Sequence, residues 1–207
     1  KEYNRTNTAS TNVKTQKIVS RPSSAEYTYP VTAGISNPTH IATVSWVLHE
    51  KPLSRAESMK LDVLEELKIG SDNSQLLKTH LDSQLGEAIA GRGLETGLIQ
   101  SSFTMGLKGV GEKNVSEVER LVLETLRDVV EEGFTLDAIE SALNSVDFEW
   151  REFNTESYPK GLIMMIYFLP AWNYDRDSTE LLHFEEALDT LRKQALSGKR
   201  VFEDAVG

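Results

Sequence analysis

Apolar and polar residues alternate along residues 98–108, which predicts a strand with one buried face and one wetter face. Residues 41–48 (IATVSWVL) are β-branched and aromatic, with apolar side chains at both parities, which favours a strand that is covered on both faces or central in a sheet. A short edge strand is predicted at 26–31. Pro30 lacks an N–H group, so it fits a strand only where that position faces no neighbouring strand. Along 98–108 the predicted inward residues are Ile99, Phe103, Met105 and Leu107, and the outward ones are Gln100, Ser102, Thr104 and Lys108.

Apolar residues recur at helical spacing after the 41–48 strand. A Ser54-to-Glu57 capping box predicts the start of a helix, and Gly70 is placed to end it with a left-handed cap. Its predicted inward residues are Ala56, Met59, Val63, Leu64 and Leu67. The next stretch, 74–110, predicts a helix, a glycine-rich turn and the 98–108 strand in succession.

In that stretch Leu77 and Leu81 share one helical face. Gly91 and Gly93 permit backbone conformations that other residues rarely adopt, which favours a turn between helix and strand.

Two amphipathic helices are predicted next. Asn114 and Glu117 form a capping box for a helix that Gly133 ends, and Thr135 caps the following helix. Their predicted inward residues are Val118, Leu121, Val122, Leu126, Val129 and Val130 in the first helix, and Ile139, Leu143, Val146, Trp150 and Phe153 in the second.

Two further helices complete the predicted elements. Residues 161–172 are nearly all apolar and predict a buried helix, and residues 178–195 predict the last one. Trp46, Trp150 and Trp172 lie among aliphatic neighbours and are interpreted as core residues.

The order of these elements predicts an α+β fold, with a mixed or antiparallel sheet and helices packed on one face of it. Residues 1–24 are rich in Thr, Asn, Ser and Lys and are expected to be a linker or disordered tail. Residues 25–207 are expected to form a single domain. The first residue is Lys1 and not methionine, which suggests an excerpt of a longer protein.

The composition narrows the classes of partner. A formal net charge of -10 argues against binding to nucleic-acid phosphates, which requires clustered Lys and Arg. The absence of cysteine excludes disulfides, thiolate zinc sites and cysteine nucleophiles. No signal peptide is apparent in residues 1–20, and the longest apolar run, 161–172, has about half of the roughly 20 residues needed to cross a bilayer. We therefore expect neither a nucleic acid nor a membrane as partner.

The candidate metal ligands do not form a site. The four histidines are His40, His49, His80 and His183. No two are spaced i, i+4, and neither H-E-x-x-H nor H-x-x-E-H occurs. His49 beside Glu50 supplies at most two ligands where a catalytic zinc uses three protein ligands. We expect no metal-binding and no cofactor-binding residue in this chain.

Three other patterns are explained better by structure than by catalysis. Gly91-Arg92-Gly93 lacks the Lys-Ser/Thr ending of a phosphate loop and precedes a strand. Ser101-Ser102 lies in a strand pattern without a nearby histidine. Adjacent carboxylates such as Glu65-Glu66 point in different directions along a helix and cannot share one pocket. We predict no catalytic residue.

Several runs of residues nevertheless form a specific pattern. They are Ser74–Lys78, Asp82–Ile89, Gly91–Gly93, Phe103–Val110, Glu132–Phe134 and Arg151–Leu162. In their order, and within about Thr39 to Leu188, they resemble the pitrilysin-type (inverzincin) zinc metallopeptidases, closest to the presequence protease and falcilysin group. Gln75 stands where relatives often have proline, and Arg92 where a small residue is usual, so the branch of the family stays open.

The resemblance implies a place in a larger enzyme. In that family a much longer chain forms homologous α+β domains in two halves that close around a peptide, and this stretch resembles the second, non-catalytic domain of the amino-terminal half. Zinc is held in the first domain by an H-x-x-E-H motif and a distal Glu, and the Arg and Tyr that assist the substrate carbonyl come from the other half. None of these positions falls in this stretch. The resemblance thus implies no zinc or catalytic residue here and zinc in the parent enzyme.

We therefore expect a structural domain that packs on the catalytic domain, forms part of a peptide chamber wall and adds negative field for cationic peptides. Its partners would be the remaining domains of the same chain and, in the parent, peptide substrates. The family suggests a soluble protein of an organelle, the mitochondrial matrix or plastid.

The alternative is a stand-alone interaction or scaffold module of the same fold, similar to non-catalytic core subunits of respiratory complexes. An H-x-x-E-H motif upstream in the encoding gene would decide between the two. A self-sufficient hydrolase would need a triad or metal set that the sequence does not supply.

Overall fold

A computed structural model describes residues 16–17, 20–30, 39–68, 75–153 and 158–207. Within them the strands are β1 (His40–Val47), β2 (Ala88–Glu95) and β3 (Ser102–Val110). The helices are α1 (Arg55–Lys68), α2 (Gln75–Asp82), α3 (Val115–Glu132), α4 (Leu136–Glu152), α5 (Lys160–Asn173), α6 (Glu185–Leu196) and α7 (Glu203–Val206). The predicted α+β class is confirmed.

The described strands form one antiparallel sheet in the order β1-β3-β2. The predicted phase of β3 is confirmed, since Phe103, Met105 and Leu107 are buried and Lys108 is exposed. The strand begins later than predicted, because residues 98–101 form a bend and loop. Gln100, predicted to face outward, is buried there, and its side-chain amide donates to the His49 carbonyl oxygen at 3.3 Å.

The prediction that 41–48 forms a strand is confirmed, but the prediction that this strand is covered on both faces is wrong. β1 lies at one edge of the described sheet, exposed and partly buried residues alternate along most of it, and Ile41 is 52% exposed. The prediction of an edge strand at 26–31 is also wrong for residues 26–30, which form no regular secondary structure. Proline has no N–H group that could donate to a neighbouring strand. In this segment the Tyr29 hydroxyl donates to the Thr39 carbonyl oxygen at 2.8 Å.

The glycine-rich turn predicted between α2 and β3 is part of strand β2. Gly91 (φ 97°) and Gly93 (φ 67°) lie at an irregularity in the β2–β3 register between Ala90 and Gly93. A Cβ atom on Gly91 would stand 2.4 Å from the Thr104 carbonyl oxygen. The prediction that these residues need glycine is supported, but they need it for a bulge in a strand.

Two larger groups of buried side chains, beside a third formed by Phe103 and Met105, hold the elements together. The larger one joins α1, α4, α6 and the C-terminal segment through Met59, Val63, Leu143, Leu191 and Phe202. The smaller one joins β3 to α3 through Leu107, Val110, Val118 and Val122. Each such side chain contributes about 1.5–3 kcal/mol when fully buried. The face of β3 opposite α3 is wetter, and there the Thr104 hydroxyl donates to Ser45 Oγ at 3.0 Å.

Side-chain caps begin helices α1 and α4. The Ser54–Glu57 capping box is confirmed, because Ser54 N donates to Glu57 Oε2 at 2.8 Å and Glu57 N donates to Ser54 Oγ at 3.3 Å. The Thr135 cap is confirmed by the bond from Ala138 N at 3.2 Å.

The capping box at Asn114 is wrong. Asn114 is the last residue of a 3₁₀-helix, Glu112–Asn114, and its side chain makes no capping bond. Gly133 ends α3 as predicted, with φ 75°. The cap predicted at Gly70 and the side chain of Leu77 lie outside the described parts of the chain, and Leu81 is 52% exposed.

The C-terminal helical region departs most from prediction. The apolar segment is helical, as α5, but none of its residues is buried, so its prediction as a buried helix is wrong. Trp172, interpreted as a core residue, is 66% exposed. The predicted helix 178–195 is two elements, a 3₁₀-helix (Ser178–Leu182) and α6, separated at His183 and Phe184.

Candidate functional site

A cavity of about 360 Å³ lies between the N-terminal part of α1, the 95–101 loop, α5 and the 3₁₀-helix Ser178–Leu182. Apolar lining comes from Leu98 in the loop and from Ile166 and Pro170 in α5. Polar lining comes from Arg55 and Asp62 of α1. Charged and aromatic side chains therefore share one concave surface here.

Arg55 is the central charged group of this cavity. Its side chain is 11% exposed, and its guanidinium carbon lies 4.3 Å from the centre of the Trp150 ring. Nη1 is 3.9 Å from Asp62 Oδ2, at the outer limit of an ion pair, and Nε and Nη2 find no acceptor within the described residues. Stacking on an aromatic ring stabilises a guanidinium that has lost much of its hydration. Trp150 therefore stabilises the positive charge of Arg55, which Asp62 neutralises only weakly.

Asp62 carries the largest electrostatic perturbation in the cavity. Removal of the carboxyl group from water raises its pKa from 3.8 to about 6, and the opposing attraction of Arg55 is smaller. Burial also raises the pKa of Glu65, whose Oε1 accepts a 3.0 Å hydrogen bond from Leu94 N on strand β2. Both carboxyls sit on the inner side of α1, where the sequence showed only an acidic helix.

His49 lies at the rim of the cavity and is fully engaged by backbone groups. Ser101 N donates to His49 Nε2 at 2.9 Å, so Nε2 carries no proton, and Nδ1 donates to the Lys51 carbonyl oxygen at 2.6 Å. No local pattern predicts that His49 lies beside Ser101, because the two are 52 positions apart. The ring contacts the backbone of Ser101, which supports a structural role and not activation of the serine hydroxyl.

The other predicted candidates stay apart. His80 is buried on α2, His183 follows the 3₁₀-helix at the surface, and His40 begins β1. In the part of the chain that the structure describes, no three His, Asp or Glu side chains are grouped so that they could hold a metal ion. The donor set present therefore does not fit a zinc ion.

A second, smaller cavity of about 270 Å³ opens where the sheet meets α1, α3 and α7. Its lining is mainly aliphatic and aromatic, with Trp46, Phe103 and Leu126 among the residues, and Glu65 and Arg127 supply its charged groups. It holds neither a nucleophile with a base nor a cluster of carboxylates, so the chemistry it offers is apolar contact.

The two described cavities thus offer concave surface for binding. The first cavity has a mostly buried cation, a carboxyl of raised pKa and an apolar wall, and the Ser54 hydroxyl in its lining donates to Glu57 Oε2 at 2.7 Å as part of the cap of α1. Sequence reasoning missed the Arg55–Asp62–Trp150 cluster. The i, i+7 spacing of Arg55 and Asp62 shows that they share one side of α1, but only folding shows that this side is partly buried against α4.

Comparison with known proteins agrees with this picture. The family model of the peptidase M16 inactive domain matches residues 4–146. Presequence protease 1, chloroplastic/mitochondrial, of Arabidopsis thaliana is 41% identical over 184 residues, which are 88% of this chain and 17% of that protein. Protein HypA of Clostridium perfringens is 34% identical over 150 residues, 72% of this chain and 15% of that protein.

A solved structure described as the inactive peptidase domain of a zinc protease from Bordetella parapertussis matches with a TM-score of 0.61. The match covers 85% of this chain and 88% of that one, at 12% identity, which shows a shared fold.

The chain belongs to the family of peptidase M16 inactive domains and is similar to part of the presequence proteases. The resemblance inferred from the residue runs between Thr39 and Leu188 is therefore confirmed. The chain spans 15–17% of the length of the two relatives. No helix in the described segments is long and apolar enough to cross a membrane.

Proposed function

We propose that this chain is the non-catalytic second domain of a zinc metalloendopeptidase that degrades peptides in a closed chamber. The observation that carries the proposal is the family match to an inactive peptidase domain, together with a relative about five times longer that is a presequence protease. In this role the domain packs on the catalytic domain and forms part of the chamber wall. In this proposal, zinc and the reacting groups belong to other domains of the parent.

The charge of the chain supports a role toward basic peptides. A formal net charge of -10 adds negative potential to any chamber that this domain borders, and such a potential favours cationic peptides at low ionic strength. The name of the Arabidopsis relative contains both chloroplastic and mitochondrial, which supports an organelle as the compartment of the parent.

The proposal is tested first by an activity assay on this chain. Incubation with zinc and an unstructured basic peptide, followed by mass spectrometry, is expected to show no cleavage, whereas the full-length parent cleaves the same peptide. Turnover by this chain that a chelator abolishes and added zinc restores would refute the non-catalytic role. A photo-crosslinkable peptide bound to the full-length enzyme is expected to label this domain as well as the catalytic one. Labelling that never reaches this domain would refute its place in the chamber wall.

A stand-alone interaction module is the second candidate, and the inactive character of the matched family domain favours it equally. The encoding gene separates the two. An H-x-x-E-H motif upstream in the same reading frame supports the protease, and a complete reading frame without it supports the module.

A further inference from the structure

Helix α5 carries a patch of large apolar side chains that the rest of the described chain leaves uncovered. The patch consists of Leu162, Met165, Ile166, Tyr167, Leu169 and Trp172, each between 37% and 66% exposed. Lys160 is the only charged residue among the fourteen of this helix. Soluble proteins rarely expose contiguous apolar patches beyond a few hundred Å², and larger ones mark interaction sites.

The contacts of α5 with its own domain are few. The Tyr167 ring meets Trp150 and Phe153 at centroid distances of 6.2 and 5.6 Å, and the helix end contacts the 3₁₀-helix Ser178–Leu182. No α5 residue takes part in the buried clusters of the described chain. The helix therefore lies against the domain as an attached element, and most of its circumference remains available.

The chemistry of the patch excludes some occupants. A face with a single lysine offers no ionic complement to a highly charged partner. Helices that lie on membrane surfaces carry Lys and Arg on their polar side, whereas α5 has one lysine and the chain as a whole is acidic. An apolar protein surface is the occupant that matches.

The length of the relatives allows that surface to lie in the same polypeptide. A match that covers 88% of this chain necessarily spans α5, so the helix lies inside the segment shared with the Arabidopsis presequence protease. It also lies beyond residues 4–146, where the general family model matches. This chain covers only 17% of that relative, which leaves most of the relative's length to supply a covering surface.

We propose that the exposed face of α5 is the docking surface for another domain of the same polypeptide, which covers Met165, Ile166 and Trp172 in the full-length protein. The inference rests on the proposed function in that it requires a multidomain parent. It names the element through which this domain is held. The cavity beside α5, lined by Ile166 and Pro170, provides a concave surface that can receive an apolar side chain of the docked domain.

Thiol accessibility tests the docking surface, because this chain contains no cysteine. Ile166→Cys and Trp172→Cys are introduced separately into the full-length protein and into this chain. Each protein is treated with a water-soluble maleimide, and the modified peptides are quantified by mass spectrometry. Glu140→Cys, at an exposed polar position of α4, is the matched control. Circular dichroism confirms that each variant is folded.

The expected result is labelling at Ile166→Cys at least tenfold slower in the full-length protein than in this chain, with no such difference for Glu140→Cys. Trp172→Cys is expected to show the same difference, and it serves as the test if Ile166→Cys fails to fold. Equally fast labelling in both proteins would overturn the proposal. Slow labelling in this chain that depends on its concentration would assign the patch to a second copy, and slow labelling independent of concentration would assign it to the chain itself. Both outcomes refute an interdomain surface.

Cross-linking of substrate to this domain is measured separately in the full-length variants. Protection of α5 together with unchanged cross-linking of substrate to this domain supports both proposals. Protection without any substrate contact refutes the chamber wall and leaves the docking surface intact.

Discussion

Replacement of Asp62 by asparagine tests the electrostatics of the α1 cavity most directly. The folded state raises the pKa of this carboxyl from 3.8 to about 6, because burial disfavours the charged form more than Arg55 favours it. A carboxyl with a raised pKa binds its proton more tightly in the folded state. Its stabilising contribution is therefore complete below pH 3.8 and is lost as the pH rises through about 6.

The magnitude follows from the shift. Each pKa unit corresponds to about 1.4 kcal/mol, so ionised Asp62 lowers the free energy of unfolding at neutral pH by up to about 3 kcal/mol. Because 26% of the side chain is exposed, we expect about 2 kcal/mol. Asp62→Asn keeps the shape and cannot ionise. The variant should gain about 2 kcal/mol relative to the original chain between pH 3.5 and pH 7.

Urea unfolding of both proteins, followed by circular dichroism at several pH values, measures this difference. The constant offset between asparagine and aspartic acid cancels, and only the change with pH is compared. Asp128→Asn, at an exposed position of α3, is measured in parallel as the control for the substitution itself. A difference between Asp62→Asn and the original chain that stays constant from pH 3.5 to 7, or that favours the original chain at pH 7, would refute the buried-carboxyl account.

Three further substitutions test the fold. Phe103→Asp places an unpaired carboxylate in the buried face of β3 and should unfold the domain, whereas Thr104→Asp on the other face should be tolerated in thermal unfolding; equal effects would contradict the strand phase. Gly91→Ala combines φ 97° with a Cβ atom 2.4 Å from a backbone oxygen and should destabilise by more than about 1 kcal/mol, while Gly111→Ala meets open space and should be near neutral in the same measurement. Thr135→Ala removes the cap of α4 and should lower the free energy of unfolding by about 1 kcal/mol, with Thr135→Ser as the variant that retains it.

Features that depend on neighbouring residues in the chain were predictable. The Ser54–Glu57 cap is a contact across three positions, so the sequence determines it almost alone. The inward phase of β3 follows from alternation with period two, because a strand that buries one face cannot place Phe103 and Lys108 on the same side. The residue runs that identify the family are likewise a property of the sequence.

Features that depend on partners far away in the chain could not be predicted from the sequence. Gly91 and Gly93 gave a correct expectation of unusual backbone conformation, but the pairing of β2 with β3 made the segment a strand with a bulge. The meeting of His49 with Ser101, and of Arg55 with Trp150, joins residues far apart in the chain and has no local signal.

Helix α5 shows the same division. Its apolar composition by itself determined a helix that must be shielded from water, since exposure of so many large side chains is unfavourable. Only the tertiary structure decided that this domain does not provide the shield. The physical reason is that hydrophobicity fixes how much surface must be buried, whereas the packing of the other elements fixes which surface is within reach. α1, α4 and α6 close their core without α5, and its apolar face is left for another partner.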